Sequence, residues 1–378
     1  MLSTAPVKHD SELAEMLERQ TAPGDLCREE NGKLRCFACG HRCLIANGKR
    51  GICKVRFNRG GQLRAPFGYV AGLACDPVEK KPFFHVYPGS DALTFGMLGC
   101  DFHCGYCQNW VTSQALRDPS AVAGTRRVEP RQLVEAALRN GARLIVSSYN
   151  EPLITAEWAK AVFEIAEPAG LACTFVSNGN ATPEVLDYLQ PYLTAYKIDL
   201  KSFNDKNYRE LGGVLKNVLE GIRMVHERKI WLEIVTLLVP GFNDSEGELQ
   251  DLTAFIAGIS PSIPWHVTAF HQDYKMHSPS ATAPEQLLRA AQIGRNAGLK
   301  FVYAGNAPDR VGSWENTRCP QCQSTLIERH GYLVREYRLT GDGNCPECGE
   351  KIPGVWPTEP PQTRSGNWRD RLPRAVRV

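Results

Sequence analysis

From about residue 92 the chain alternates short apolar runs with amphipathic stretches, and the apolar runs have the length of strands. ALTFGML, RLIVSSY, CTFVSN, AYKIDL, WLEIVTLLV, WHVTAF and KFVYAG are rich in β-branched and aromatic residues, which predicts strands. The stretches between them predict helices with defined ends. RQLVEAALRNG puts Leu133, Val134, Ala137 and Leu138 on one face, with Pro130 at its start and Gly141 just past its end. In TPEVLDYL, Thr182 is set to cap the helix and Pro183 to fill its first position. PEQLLRAAQIGRNAG opens at Pro284 and closes at Gly298. Strand then helix, repeated about six times, predicts parallel strands joined by crossovers, an α/β sheet that closes into a full or partial barrel. Ligands are expected at the C-terminal ends of such strands.

The flanks break this rhythm. Residues 1–26 read as a leader. Residues 27–90, rich in Cys, Gly and Pro, read as an N-terminal Cys-rich metal-binding module ending in the turn-like HVYPGS. Residues 315–355 form a third module with paired cysteines at either end, and 356–378, Pro-rich and then Arg-dotted, read as a flexible tail.

Charge and composition narrow the choice. A net charge of +3 over 378 residues, without a Lys/Arg stripe interleaved with aromatics, speaks against nucleic acid as a partner. No apolar run is long enough to span a bilayer, and MLSTAPVKHDSELAEML lacks the basic start and apolar stretch of a signal peptide, so a cytoplasmic protein is expected. Cytosolic thiols stay reduced, so the 14 cysteines point to metal rather than disulfides. Cys75 and Cys173 read as structural, and Cys27 fits the spacing of the neighbouring cluster poorly.

The other eleven cysteines form three sets. GCDFHCGYCQN supplies Cys100, Cys104 and Cys107 at the end of the first predicted barrel strand. Three thiolates can hold three corners of a cubic iron–sulfur cluster and leave one iron open for a ligand. CPQC and CPECG, 22 residues apart, bring Cys319, Cys322, Cys345 and Cys348, a zinc-ribbon or rubredoxin-like set for zinc, with a single iron as the alternative. CFACGHRC…GIC brings Cys36, Cys39, Cys43 and Cys53, which suit a structural zinc.

The C-x3-C-x2-C spacing, with Tyr106 before its last cysteine, resembles the signature of the radical S-adenosylmethionine superfamily. The resemblance implies a partial (β/α)6 TIM-like barrel over residues 91–314, flanked by the small N-terminal Cys-rich and C-terminal zinc-ribbon modules. It also implies a [4Fe-4S] cluster on Cys100, Cys104 and Cys107 that binds S-adenosylmethionine and cleaves it reductively. The product is a 5′-deoxyadenosyl radical that abstracts hydrogen from a substrate. Further segments resemble glycyl-radical-enzyme activases: YCQN, SSYNEP, SNG, IDLKSFND, LLVPGFND and TAFHQDY. They imply cofactor contacts from Tyr106, Asn150, Glu151, Ser177, Asn178, Asp199, Lys201 and His271, with His266 competing for the last role. Because activases carry extra ferredoxin-like clusters, an auxiliary iron–sulfur cluster competes with zinc at the N-terminal set.

The whole layout, across about residues 30–355, resembles the AmmeMemoRadiSam system radical SAM enzymes. The matching segments are CFACGHRCLIANGKRGICKVRFNRGG, DPVEKKPFFHVYPGS, GCDFHCGYCQNW, YAGNAPD and the closing ribbon. This implies flavodoxin or ferredoxin as electron donor and Memo-type and Ammecr-type proteins as partners. Lys80, Lys81 and His85 are candidate substrate-side groups. The expected function is a radical enzyme acting on a small molecule. An activase acting on a partner protein is the alternative, and a non-enzymatic zinc protein is a third reading.

Overall fold

The structure is a computed structural model describing residues 9–361, 374–376 and 378. Seven strands lie side by side in chain order, all parallel: β1 (Asp91–Gly96), β2 (Leu144–Ser147), β3 (Ala172–Ser177), β4 (Leu193–Asp199), β5 (Trp231–Leu238), β6 (Trp265–Ala269) and β7 (Val302–Gly305). Six crossovers carry α1 (Pro130–Arg139), α2 (Ala156–Ala166), α3 (Pro183–Leu189), α4 (Leu215–Glu227), α5 (Glu246–Ile259) and α6 (Pro284–Asn296). The array therefore holds one strand more than six βα units, because β7 completes the last crossover. Strands covered on both faces need apolar residues at successive positions, and all four residues of β2 are buried. The helix ends follow the local chemistry. Thr182 Oγ1 accepts from Val185 N–H at 3.2 Å at the start of α3, and Gly141 and Gly298 take positive φ just beyond α1 and α6.

The sheet reaches outside residues 91–314. Gly72–Pro77 adds antiparallel to β1, and Arg374–Ala375 adds antiparallel to that strand. An edge strand leaves a row of unpaired backbone groups, and the chain's own end covers it here. Arg374 donates to Asp91 Oδ2 at 2.7 Å and Val376 is buried, so this part of the expected flexible tail is docked. Residues 362–373 and 377 of that tail, and 1–8 of the expected leader, lie outside the described residues. The leader's Thr21–Pro23 pairs with Gln62–Pro66 and so belongs to a small sheet of the N-terminal module.

The segment after the edge strand turns into the barrel. Val78, Phe83 and Val86 pack against Ala92, Leu144, Val146, Ala172 and Ala195, residues of β1–β4. The C-terminal module, a three-stranded sheet of Thr317–Arg318, Thr325–His330 and Leu333–Tyr337, shares a core with this strap and with β7 through Phe84, Phe301 and Tyr303. No described helix is long and apolar enough to cross a membrane.

Candidate active site within the barrel

The loop that follows β1 carries Cys100, Cys104 and Cys107. It is pressed against the N-terminal module: a Cβ on Gly99, at φ +95°, would lie 2.8 Å from Val55 Cγ1 and 3.1 Å from the Cys53 carbonyl oxygen. Glycine alone tolerates both that conformation and that approach. Phe102 N–H donates to Cys100 Sγ at 3.3 Å, and the Ser113 hydroxyl lies 3.2 Å from Cys107 Sγ. Such bonds orient sulfur and stabilise it as thiolate. Burial pushes the Cys104 thiol up to about 12, with Lys201 opposing. Thiols of this kind give up their protons when a metal takes their place.

A cavity of about 390 Å³ opens under this loop. Cys104, Tyr106 and Cys107 form one side of it, and residues of β3–β7 and of the turn after β2 form its walls. Alternation along β4 turns Lys197, Asp199 and Lys201 to the same side, and all three line the cavity. Asp199 accepts from Lys201 at 3.1 Å and pairs closely with Lys197. Burial alone would raise the Asp199 carboxyl, but the two ammoniums outweigh it and hold it at about 2. The Tyr106 hydroxyl is buried and has no hydrogen-bond partner among the described residues. The remaining wall comes from Glu79–Pro82 of the strap and from Glu315, Gly331 and Tyr332 of the C-terminal module.

The structure also gathers Asn150, Glu151, Ser177 and Asn178, but behind the cysteine loop instead of on the cavity wall. Glu151 accepts from Ser177 Oγ at 2.7 Å, from Asn178 N–H at 2.8 Å and from Leu153 N–H at 3.1 Å. Burial, and then Asp101, push its carboxyl up to about 8. Asn178 Nδ2 donates to Asp101 Oδ1 at 2.7 Å, and Asn150 Oδ1 accepts from Met97 N–H at 2.9 Å. Asn150 thus holds the backbone at Met97 ahead of Cys100, and Asn178 holds the Asp101 side chain just after it. Ser148 and Tyr149 reach the cavity in their stead.

The two candidate histidines part company. His266 lies on the cavity wall, 2.7 Å from Glu233 and stacked on Tyr303. The expected His271 is exposed and bonds Gln108 at 2.9 Å, because β6 ends at Ala269 and the chain has left the rim by then. His85, proposed for the substrate side, is a core residue instead. Its ring bonds the Pro353 carbonyl and the Tyr303 hydroxyl, each at 2.7 Å, and packs on Trp231 and Phe301. Lys80 and Lys81 do line the cavity. Sequence reasoning missed Lys197, which the alternation in YKIDLK could have exposed, and Tyr332, which reaches the cavity from a distant hairpin with no local signal.

Of the two four-cysteine sets, the C-terminal one is compact. Sγ atoms of Cys319, Cys322, Cys345 and Cys348 all lie within 4.8 Å of one another, with Cys319 to Cys348 at 3.5 Å and Cys322 to Cys345 at 3.6 Å. A tetrahedral ion with metal–sulfur bonds of about 2.3 Å spaces its sulfurs by about 3.8 Å, so this set could hold a metal ion. It is the one group of three or more Cys, His, Asp or Glu ligand atoms this close among the described residues. Cys36, Cys39, Cys43 and Cys53 share one neighbourhood but are more widely spread.

Residues 95–253 match the family model of the Radical SAM superfamily. An uncharacterized protein of Methanocaldococcus jannaschii is 35% identical over 326 residues, covering 85% of this chain and 96% of the relative. Pyruvate formate-lyase-activating enzyme of Staphylococcus aureus is 26% identical over 186 residues, 46% of this chain and 72% of that enzyme. Among solved structures, a radical SAM methyltransferase from Sphaerobacter thermophilus aligns with a TM-score of 0.45 at 16% identity, covering 80% of this chain and 83% of that one. The chain belongs to the radical SAM superfamily, which implies an enzyme with a [4Fe-4S] cluster and S-adenosylmethionine.

Proposed function

We propose that Cys100, Cys104 and Cys107 hold the [4Fe-4S] cluster and that the protein acts on a small molecule inside the barrel. When bound, the cluster supplies the electron that cleaves S-adenosylmethionine to a 5′-deoxyadenosyl radical, which takes hydrogen from the substrate. The observation that carries this reading is the Lys197–Asp199–Lys201 group, which lines the same cavity as Cys104. Asp199 accepts from the ammonium of the cofactor's methionine part and Lys201 donates to its carboxylate. The buried Tyr106 hydroxyl meets the cofactor from the cysteine side. The strap and the hairpin of the C-terminal module keep water from the chamber, which a radical requires.

Flavodoxin or ferredoxin delivers the electron, as is usual in the superfamily, in a cytoplasmic setting. Memo-type and Ammecr-type partners belong to the same reading. The compact C-terminal set takes zinc, and the wider N-terminal set suits an auxiliary iron–sulfur cluster better than a single ion. A second reading, a glycyl-radical activase, is favoured by the likeness to pyruvate formate-lyase-activating enzyme. Family membership leaves the non-enzymatic zinc protein without support.

The test is anaerobic reconstitution with iron, sulfide and reductant, followed by quantification of 5′-deoxyadenosine. Cys104→Ala is expected to abolish its formation. Lys201→Met is expected to weaken S-adenosylmethionine binding by about 10- to 100-fold, the loss of a charge-assisted hydrogen bond. Full cleavage by Cys104→Ala refutes the cluster assignment, and a glycyl radical arising in a partner protein selects the activase.

A further inference from the structure

We propose that a second Lys–Asp–Lys group in the chamber binds an anionic group of the substrate, a carboxylate or a phosphate, so that the substrate is a small organic acid. The inference rests on the small-molecule reading above. Asp76 is fully buried in the edge strand Gly72–Pro77. Its carboxylate accepts from Lys80 Nζ at 3.2 Å, from Lys81 Nζ, and from the Tyr149 hydroxyl at 2.8 Å. One carboxylate thus serves two ammoniums, and Lys80, Lys81 and Tyr149 all line the chamber. The nearby acids are committed elsewhere. Glu79 accepts from Gly89 N–H at 2.7 Å and faces Arg329 at 3.8 Å, and Glu315 accepts from Gly331 N–H at 3.0 Å.

The group therefore carries one positive charge in excess. Lys81 is only 6% exposed, with its ammonium 5.2 Å from the Tyr149 ring centre, whereas the side chain of Lys80 is 31% exposed, so the pair has one buried cation and one that an incoming anion can reach. A desolvated cation is stabilised by a second anion. The same count, two lysines on one aspartate, holds at Asp199 on the other side of the chamber. The two groups stand apart in the barrel. Asp76 pairs with Ala92 near the start of β1, whereas the cysteine loop leaves the end of that strand. From Ala92 to Gly96 the strand rises about 13 Å. A substrate held by its acid at Lys80 and Lys81 would extend toward the cofactor.

The test is calorimetric titration of the reconstituted full chain, saturated with S-adenosylmethionine so that the Asp199 group is filled. The titrants are succinate, inorganic phosphate and the uncharged succinamide. Binding of succinate or phosphate, with none of succinamide, is expected, and whichever anion binds more tightly names the acid. Lys80→Met leaves Asp76 its bonds to Lys81 and Tyr149, so the chain keeps its fold. It is expected to weaken the anion by about tenfold, and Lys80→Arg to restore most of that loss. The inference is overturned if neither anion binds, or if Lys80→Met binds it as the parent does. This readout needs no turnover. A chain that binds the anion but yields no 5′-deoxyadenosine refutes the radical reading alone, and one that yields it but ignores both anions refutes this inference alone.

Discussion

Each end of the chain offers four cysteines, and the fold treats the two sets differently. At the C-terminal end each CPxC turn is clamped by its own backbone. Gln323 N–H donates to the Cys319 carbonyl at 3.0 Å, Gly349 N–H to the Cys345 carbonyl at 2.9 Å, and Cys319 N–H to the Ser324 carbonyl at 2.9 Å. Two such turns face each other, and four sulfurs converge. At the N-terminal end, Cys36 ends a strand, Cys39 and Cys43 share the loop that follows it, with Cys36 N–H donating to the Cys43 carbonyl at 2.9 Å, and Cys53 comes from a separate loop, so the set is not built from two facing turns. The surroundings differ too. The C-terminal set belongs to a module whose hairpin tip, Gly331 and Tyr332, walls the chamber. The N-terminal set lies behind the three-cysteine loop, with Cys53 touching Gly99. The turns around cysteines, rather than their number, decide how closely their sulfurs converge.

The sharpest way to break this comparison is to disable the C-terminal set, which could hold a metal ion. Structural zinc contributes about 10–16 kcal/mol in small peptides, and a module of this size has little core to replace it. Cys345→Ala, or a chelator, is expected to unfold residues 315–355 and open the chamber. Limited proteolysis should then cut first in that segment, and Cys39→Ala should leave it protected. Equal protection in both variants would mean that the ribbon is held by its contacts with Phe84 and Tyr303.

The N-terminal module is anchored by a buried ion pair instead. Arg56 donates to both oxygens of Glu157 on α2, at 2.6 and 2.7 Å, with side chains 1% and 4% exposed. Glu157→Gln leaves the guanidinium buried without its charge partner, which costs about 3–5 kcal/mol. The pair also sets a pH response. Burial raises the Glu157 carboxyl, but Arg56 outweighs it and holds it below its ordinary value of 4.5. A depressed carboxyl contributes its full stability above that ordinary value and loses it as pH falls through the folded one. Hydrogen exchange over residues 21–66 should therefore quicken below about pH 4.5 in the parent and much less in Glu157→Gln. An equal response in both would place the acid-sensitive group elsewhere.

Much of this was legible in the residues. Period and capping fixed the strands and helices, since Pro130, Thr182 and Pro284 each mark a helix start by local chemistry. The three-cysteine loop, Asp199 and Lys201 were legible because one loop and one strand present them together. What escaped depends on contacts distant in sequence. Glu151 lies behind the cysteine loop instead of on the cavity wall because Ser177, Asn178 and Leu153, distant in sequence or beyond the turn, bond both of its oxygens there. His271 and His266 are separated by where β6 ends, which alternation does not reveal. His85 sits in a charged, turn-rich stretch, yet the strap carries it into the core. Arg374 and Val376 look frayed until the open edge at Gly72–Pro77 appears.

The smallest expected effect sharpens the comparison from the other side. Arg42 also links the N-terminal module to the barrel, meeting both oxygens of Glu184 on α3 at 2.7 and 2.8 Å, but its side chain is 39% exposed and that of Glu184 40%. Solvent screens such a pair, and ordering two long side chains consumes much of what the bidentate geometry and the first turn of α3 provide. The Phe37 ring, 5.2 Å from the guanidinium, adds a little and is insensitive to Glu184. Arg42→Ala should therefore destabilise by no more than about 1 kcal/mol, shrinking in high salt, in denaturant unfolding beside Glu157→Gln. If Arg42→Ala cost as much as Glu157→Gln, the module would be held at its rim and the buried pair would not be its anchor.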